Sequence, residues 1–548
     1  MPTRTVAEAV GETLTAVGVD HVFGVVGSGN FHVTNAMIET GARFVPARHE
    51  GGAATMADAY ARMSGRVSAL SVHQGCGLTN ALTGIAEAAK SRTPLVVLAA
   101  EVTETRSNFF VDQSALARAV GASSMRVTSS ETAVAETLSA VETAAHSRRT
   151  VLLNLPLAVQ AQLVADPPTT PTLSPPPKAA PPNRDELAAL VRALERSTRP
   201  VFVAGRGSRG EASRRALQAL GERYGALLAT SAVARGLFTG DPWSLDVSGG
   251  FSSPLAAELI ADADLIVGWG CALNMWTMRH GHLIGPDAHV VQVDDTVSAI
   301  GAQRPVDLGV VGDVKRTATA ALELAGAPRT GYRDPAVRER IATSIRWRDV
   351  PFEDASTPEH IDPRLLSTAL DDLLPPNRIL SVDSGNFMGY PSMYLSTPDE
   401  NGFCFTQAFQ SVGLGLATAI GAALAQPDRL PVAALGDGGA LMGASELETV
   451  RRLGLPMVVV VYNDDAYGAE VHHFGPDGFP VTTVSFPSTD IAAIGRGYGF
   501  ETVSVRTVAD LAPVADWVAG PRQQPLLIDA KVSRDQPSWW LEEAFRGH

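Results

Sequence analysis

The chain has 548 residues, 45% of them hydrophobic and 19% charged, with a formal net charge of −14. A single core usually takes ~100–200 residues, so this length implies several domains, and the ordinary globular composition excludes wholesale disorder. The acidic balance argues against general nucleic-acid binding, because such a surface repels phosphate backbones.

Cys76, Cys271 and Cys404 lie far apart and form no CxxC pair. That spacing argues against a disulfide scaffold or a thiolate zinc site and fits a reducing compartment. Met1–Glu8 is polar and lacks a signal-peptide apolar region. The longest apolar run, Leu455–Tyr462, is far short of the ~20 residues a membrane helix needs. The expectation is a soluble, cytoplasmic protein with no membrane partner.

In chain order, His21–Val26, Ala69–Val72, Leu95–Ala100 and Val151–Leu155 read as buried strands, with helical spacing over Glu50–Met63 and Leu78–Ala88. The proline-rich stretch Asp166–Asn183 then reads as a linker. Beyond it, Pro200–Ala204, Gly225–Thr230, Leu265–Gly268 and His289–Val293 repeat the pattern. A second break, polar and turn-rich around a charged helical stretch, falls near Ala327–Pro363. The last piece carries strands at Arg378–Val382, Val432–Leu435, Met457–Tyr462 and Leu526–Ala530. Continuous apolar strands alternating with helices predict α/β architecture: three doubly wound parallel-sheet domains, at 1–165, 184–326 and 364–548. Ligands of such sheets bind at the carboxyl ends of the strands, so the residues just after each strand carry the chemistry.

After Val432–Leu435 comes Gly436-Asp437-Gly438-Gly439, and after Met457–Tyr462 comes Asn463-Asp464-Asp465-Ala466-Tyr467-Gly468. Asp437 and Asp464 are 27 residues apart, with one predicted helix (Ala444–Leu453) and one strand between them. That spacing places both carboxylates on one edge of a parallel sheet. Two hard oxygen ligands beside a glycine turn suit Mg²⁺ or Ca²⁺, with a phosphate completing the shell. Taken singly, either segment is an ordinary turn. Together, at this spacing, they form a much rarer pattern.

These segments resemble the thiamine diphosphate motif of the 2-oxo acid decarboxylase and carboligase superfamily, which includes acetolactate synthase and benzoylformate decarboxylase. Arg48-His49-Glu50 followed by GGAATMADAYAR is similar to the same superfamily's catalytic-glutamate segment. The resemblance spans the chain in the order pyrimidine-binding, middle and diphosphate-binding domain. It implies thiamine diphosphate and Mg²⁺ as cofactors, with Asp437, Asp464 and the Ala466 carbonyl on the metal. Asp464 stands where the family usually has asparagine, which adds a negative charge and implies tighter dependence on a divalent metal. Ser384-Gly385-Asn386, Gly436, Gly438 and Gly439, and Tyr467-Gly468-Ala469 fall at the diphosphate. Val412 stands at the apolar residue that bends the cofactor, with main-chain groups of Gln410 and Ser411 at the aminopyrimidine. Glu50 would bond that ring and promote the tautomer that deprotonates the thiazolium C2. The family's cofactor lies between two subunits, so at least a homodimer is implied; dimer and tetramer both remain open.

Around the reacting carbon, Ser28 and His73 resemble polar residues of benzoylformate decarboxylase, and Glu470 resembles a pocket glutamate of pyruvate decarboxylase-type enzymes. Gln113 resembles the glutamine that acetohydroxyacid synthases and benzaldehyde lyase keep near substrate. Each also has a structural reading: Ser28 as a helix cap, His73 as a strand-end residue, Glu470 as a solvated helix face or a partner of His472 or His473. The implied reaction is decarboxylation of a 2-oxo acid with transfer of the acyl unit to an aldehyde or ketone acceptor, as in acetolactate synthases. Release of a free aldehyde is the alternative, and proton donation by His73, Ser28 and Glu470 would favour it. In the middle domain Gly205-Arg206-Gly207-Ser208-Arg209-Gly210 is a GxGxxG after a strand, but the acid expected at the end of the next strand is missing. Acetohydroxyacid synthases bind FAD in this domain, but Gly270-Cys271-Ala272-Leu273-Asn274-Met275-Trp276 does not resemble their Arg/Asp-rich flavin turn, so FAD is not expected.

Overall fold

The computed structural model describes residues 4–164, 171–179 and 181–544, so residues 166–170 and 180 of the expected linker lie outside the described residues. Three six-stranded sheets follow one another along the chain, and every strand pair within them is parallel. The first holds His21–Gly24, Arg43–Pro46, Ser68–Val72, Leu95–Glu101, Ser123–Arg126 and Thr150–Pro156. The last holds Arg378–Val382, Phe403–Phe405, Leu430–Gly436, Val458–Asn463, Glu501–Val505 and Leu526–Lys531. Numbered along the chain, the strands of both lie side by side as 2-1-3-4-6-5. The middle sheet, Pro200–Ala204, Leu227–Thr230, Ser244–Val247, Leu265–Trp269, His289–Asp294 and Leu308–Val311, runs 3-2-1-4-5-6. A short antiparallel pair, Arg4–Thr5 with Leu163–Val164, ties the start of the first domain to its end.

Strands such as Leu95–Glu101 and Thr150–Pro156 are buried along their whole length because helices cover both faces. Helix Glu50–Ser64 starts at His49, whose side chain accepts from Gly51 N–H, and stops at Gly65, which takes the left-handed conformation. A single apolar cluster runs from Phe23, Met56 and Leu70 through Leu416, Ile420 and Leu527, so the first and last domains share one core. The middle domain has its own clusters around Phe202 and Trp269 and around Leu259 and Ile266. The second expected break contains the helix Pro335–Ser344, capped by Asp334. All three cysteines are free thiols. Among the described residues no helix is long and apolar enough to cross a membrane.

The GxGxxG segment has a packing role. Its sheet reverses direction between Pro200–Ala204 and Leu265–Trp269, where a Cβ on Gly207 would lie 2.9 Å from Gly270 Cα, so the two crossover loops meet backbone to backbone. The adjacent strand ends in Thr230, whose hydroxyl donates to Asp246 C=O, and no acid stands there. Arg209 joins the three domains. Its guanidinium donates to the carbonyls of Arg62 and Glu400 and to Asn401 Oδ1, at 3.3, 3.0 and 3.1 Å.

Arg209→Ala would strand these acceptors at a domain junction. Charge-assisted bonds contribute about 1.5–3 kcal/mol each, so the first calorimetric unfolding transition should fall by several degrees. An unchanged melting profile would show that Arg209 does not hold the domains together.

Candidate active site

In the last domain the strand order reverses between Arg378–Val382 and Leu430–Gly436, and the residues after these two strands face each other. Asp383 begins the first of these turns. Its carboxylate accepts from Ser384 N–H at 2.8 Å, while each of its oxygens lies 3.0 Å from Gly413 N. Burial pushes its pKa up to about 6 against the pull of these donors. The buried acid thereby binds the Ser384 turn to the loop carrying Gln410, Ser411 and Val412. Gln410, at φ 61°, holds a left-handed conformation uncommon for a non-glycine residue. Val412 remains 39% exposed on the open side.

The glycine turn closes around the same point. A Cβ on Gly436 would lie 3.0 Å from the Phe387 ring, and one on Gly438 would lie 2.6 Å from Tyr467. Gly439 leaves room for Asp383 and lies beside Val412, where an added Cβ would be 3.4 Å from Cγ1. Gly468 likewise leaves room for Asp464, and a Cβ there would be 3.3 Å from that of Asn386. Ser384, Gly385, Asn386, Gly436, Gly438, Gly439, Asp464, Tyr467 and Gly468 thus converge on one sheet edge. Ala469 follows in the helix Gly468–Phe474. The C-terminal segment covers this edge, with Ser538 N–H donating to Asn386 Oδ1 and Trp540 Nε1–H to Asn386 C=O.

Asp437 and Asp464 stand close enough to share a hydrogen bond. Burial pushes Asp437 up to about 6. Burial and then the neighbouring Asp437 charge raise Asp464 well above the usual carboxylate range. Two carboxylates in this relation lack a cation, which is the electrostatic signature of a divalent-metal site. Asn463 anchors the turn from behind: its amide donates to Asp529 Oδ1 at 2.9 Å and its carbonyl accepts from Asp465 N–H at 3.2 Å. Asp464 in turn accepts from Ala466 N–H at 3.3 Å. Among the described residues no group of three or more His, Cys, Asp or Glu side chains could hold a metal, so outside oxygens would have to complete the shell.

In the first domain Glu50 opens its helix, and its Oε2 accepts from Asn80 Nδ2–H at 3.0 Å. A Cβ on Gly77 would lie 3.4 Å from Glu50 Oε1 and 3.1 Å from His73 Cβ, so the glycine brings the acid and the imidazole to one place. His73 Nδ1 accepts from Gly29 N–H at 3.3 Å, which joins it to the turn carrying the exposed Ser28. Ser28 caps no helix; the next one starts from Asn30. Gln113 is buried behind this loop, accepting from Gly75 N–H at 3.3 Å and donating to Asn154 Oδ1 at 2.9 Å. The carbonyl end of its amide thus supports the His73–Gly77 turn, and the NH2 end anchors it to strand Thr150–Pro156. Glu470 is exposed on the short helix Gly468–Phe474, and His472 Nε2 is buried without a hydrogen-bond partner.

Among the described residues no hydrogen bond joins Glu50, His73 or Ser28 to Asp437 or Asp464; the first three stand in the first domain and the last two in the third. Sequence reasoning passed over four supporting residues: Asp383, Asn80, Glu87 and Glu446. Asp383 had a readable signal, being an acid at a strand end directly before a Ser-Gly-Asn turn. Glu87 and Glu446 had none, since their partners lie in the other domain.

The family descriptions "Thiamine pyrophosphate enzyme" match the chain three times: the N-terminal TPP binding domain over residues 4–116, the central domain over 187–321 and the C-terminal TPP binding domain over 383–530. A sulfoacetaldehyde acetyltransferase of Rhodobacter capsulatus is 29% identical, over 99% of this chain and 96% of that protein. A probable 2-ketoarginine decarboxylase of Pseudomonas aeruginosa is 29% identical, over 93% and 90%. An acetolactate synthase large subunit of Parasynechococcus marenigrum is 26% identical, over 97% and 88%. With the glycine cradle, the paired carboxylates and Glu50 in the matched domains, the chain belongs to the thiamine pyrophosphate enzymes.

Proposed function

We propose that the protein decarboxylates a 2-oxo acid and transfers the resulting acyl unit to an aldehyde or ketone acceptor. The observation that carries the chemistry is the placement of a hydrogen-bonded glutamate, Glu50, in one half-site and a cation-deficient carboxylate pair in the other. Thiamine diphosphate, when bound, supplies the carbon nucleophile that adds to the ketone and retains the electron pair when CO₂ leaves. The chain's own residues hold and orient it. Asp437, Asp464 and the Ala466 carbonyl would hold Mg²⁺, and the turns at Ser384–Asn386, Gly436–Gly439 and Tyr467–Ala469 would receive the diphosphate. Val412 would set its bend, with backbone groups of Gln410 and Ser411 at the pyrimidine. Glu50, oriented by Asn80, would hold and move the proton, and His73, Ser28 and Glu470 would line the substrate side. Gln113 would act one step back, through the His73 loop.

Exposed apolar side chains surround both half-sites in one chain, among them Phe109, Met442 and Tyr467. A second copy would cover them and bring Glu50 to its partner's Asp437, so the working unit is a homodimer or a larger even assembly.

Transfer is favoured over release because two of the three relatives named above are an acetyltransferase and a synthase. The exposed Glu470 and the relative named as a decarboxylase support aldehyde release as the second reading. Supplied with thiamine diphosphate and Mg²⁺, the protein should convert pyruvate, benzoylformate or a branched 2-oxo acid to an acyloin identified by mass spectrometry. Free aldehyde with CO₂ would establish the second reading. Glu50→Gln should lower kcat by about 10²–10⁴, as expected for loss of a proton-transfer group, while cofactor still binds. Full turnover by this variant would sink the mechanism.

The carboxylate pair sets a pH dependence. Its pKa values in the metal-free protein lie above those of an unfolded chain, so the folded state binds more protons and metal-free stability falls as pH rises through about 6. Mg²⁺ removes that repulsion and releases the protons. The rise in Tm on adding Mg²⁺ should therefore be larger at pH 7.5 than at pH 5, and Asp464→Asn should flatten the difference. A metal effect independent of pH in the unsubstituted protein would contradict this site.

A further inference from the structure

Two buried glutamates, Glu87 and Glu446, cross the boundary between the first and last domains in opposite directions. Glu446, at the start of helix Glu446–Arg452, accepts on Oε1 from two successive backbone N–H groups of the first domain, Arg48 and His49, each at 3.0 Å. Thr449 Oγ1–H occupies its other oxygen at 2.6 Å. Glu87, near the end of helix Cys76–Lys90, accepts from two successive N–H groups of the last domain: Ala408 to Oε1 at 3.0 Å and Phe409 to Oε2 at 2.6 Å. Arg62 and Ser91 hold Glu87 from behind.

The two contacts are topological equivalents. Both glutamates lie on the helical segment after strand 3 of their sheet, and both reach the loop after strand 2 of the other. The helices that follow those loops, Glu50–Ser64 and Gly415–Ala425, pack on each other. Each bonded pair lies just before a cofactor-facing segment: Arg48 and His49 before Glu50, Ala408 and Phe409 before Gln410–Val412. A carboxylate that fixes two consecutive amides fixes the peptide plane between them, and with it the direction in which the chain leaves.

We propose that Glu446 and Glu87 are reciprocal positioning residues, through which each cofactor-binding domain of a chain sets the register of the other's reactive loop. The functional consequence rests on the roles proposed above for Glu50 and Val412; the geometry does not. Glu446 uses one oxygen for both amides, so the carbonyl of a glutamine can replace it. Aspartate keeps the charge but retracts the acceptor by one methylene. Glu87 uses both oxygens, so glutamine cannot replace it.

The test is a set of variants in the full-length protein, read by amide hydrogen exchange without cofactor and by steady-state kinetics with it. Glu446→Gln should match the unsubstituted protein within about threefold in kcat and keep Arg48 and His49 protected. Glu446→Asp should expose those amides and lower kcat by about 10², the order a ~1 Å misplacement costs, with thiamine diphosphate affinity changed less than threefold. Glu87→Gln should expose Ala408 and Phe409 and weaken cofactor affinity at least tenfold. Loss of turnover in Glu446→Gln with Glu446→Asp spared would assign the effect to charge and overturn the proposal. So would unaltered exchange at Arg48 and His49 in Glu446→Asp. Altered exchange without loss of turnover would overturn the functional step alone, and inactivity of every form including the unsubstituted protein would count against the assigned reaction while the exchange result still decides the clamp.

Discussion

Helix Glu50–Ser64 lies against Gly415–Ala425 at backbone distance, and much else in the molecule depends on that contact. A side chain at Gly421 would collide with the main chain of Met56, and where Cys76–Lys90 packs on the same helix Glu50–Ser64, a Cβ on Gly84 would lie 2.6 Å from Ala54 Cβ. Small residues let the helices meet without intervening layers, so the first and last sheets merge into one apolar core. Helices separated by larger side chains would move the loops at their N-termini apart. Those loops carry Glu50 on one side and Val412 on the other.

Such intimacy buries polar groups that must then be satisfied. Asp58, Arg62 and Glu87 form a buried ion cluster at this seam, with Arg62 bonded to both acids and to Phe405 C=O of the last domain. The Arg62 charge and two backbone donors hold Glu87 below its usual pKa against the effect of burial, whereas burial outweighs the pairing at Asp58 and raises it. A buried pair of this kind adds little net stability over an apolar alternative, yet removing one partner is costly. Its value here is direction: the charges hold Glu87 where its oxygens meet Ala408 and Phe409.

What could be read from the sequence follows from burial. The interior strands of all three sheets, such as Leu95–Glu101 and Val458–Asn463, are covered on both faces and read as unbroken apolar runs. The six edge strands escaped that reading. Ser123–Arg126 and Glu501–Val505 are half-exposed and mixed in character, and Phe403–Phe405 is only three residues long. The diphosphate half-site was legible because glycine and aspartate at strand ends combine two rare local demands, close backbone approach and hard oxygen ligands. Glu446 was not, because in sequence it is one acid in a helical segment, and its meaning lies 398 residues away at Arg48.

The shared strand order also shows why the proposed metal site falls in one half and not the other. At the end of strand 3 the first domain places His73, which is no acid, where the last places Asp437. After strand 1 the first has Gly27 and Ser28, where the last has Asp383 and Ser384. At the end of strand 4 both domains carry an acid, Glu101 in one and Asp464 in the other. Arg126 pairs with Glu101 within its own domain. Among the described residues Asp464 pairs with no such cation, and it faces Asp437 instead. Two copies of one topology thus differ in whether their edge acid is neutralised internally. On the roles proposed above, the neutralised edge would be left to handle protons and an uncharged ring, and the other would draw in a divalent ion and the anionic end of the cofactor.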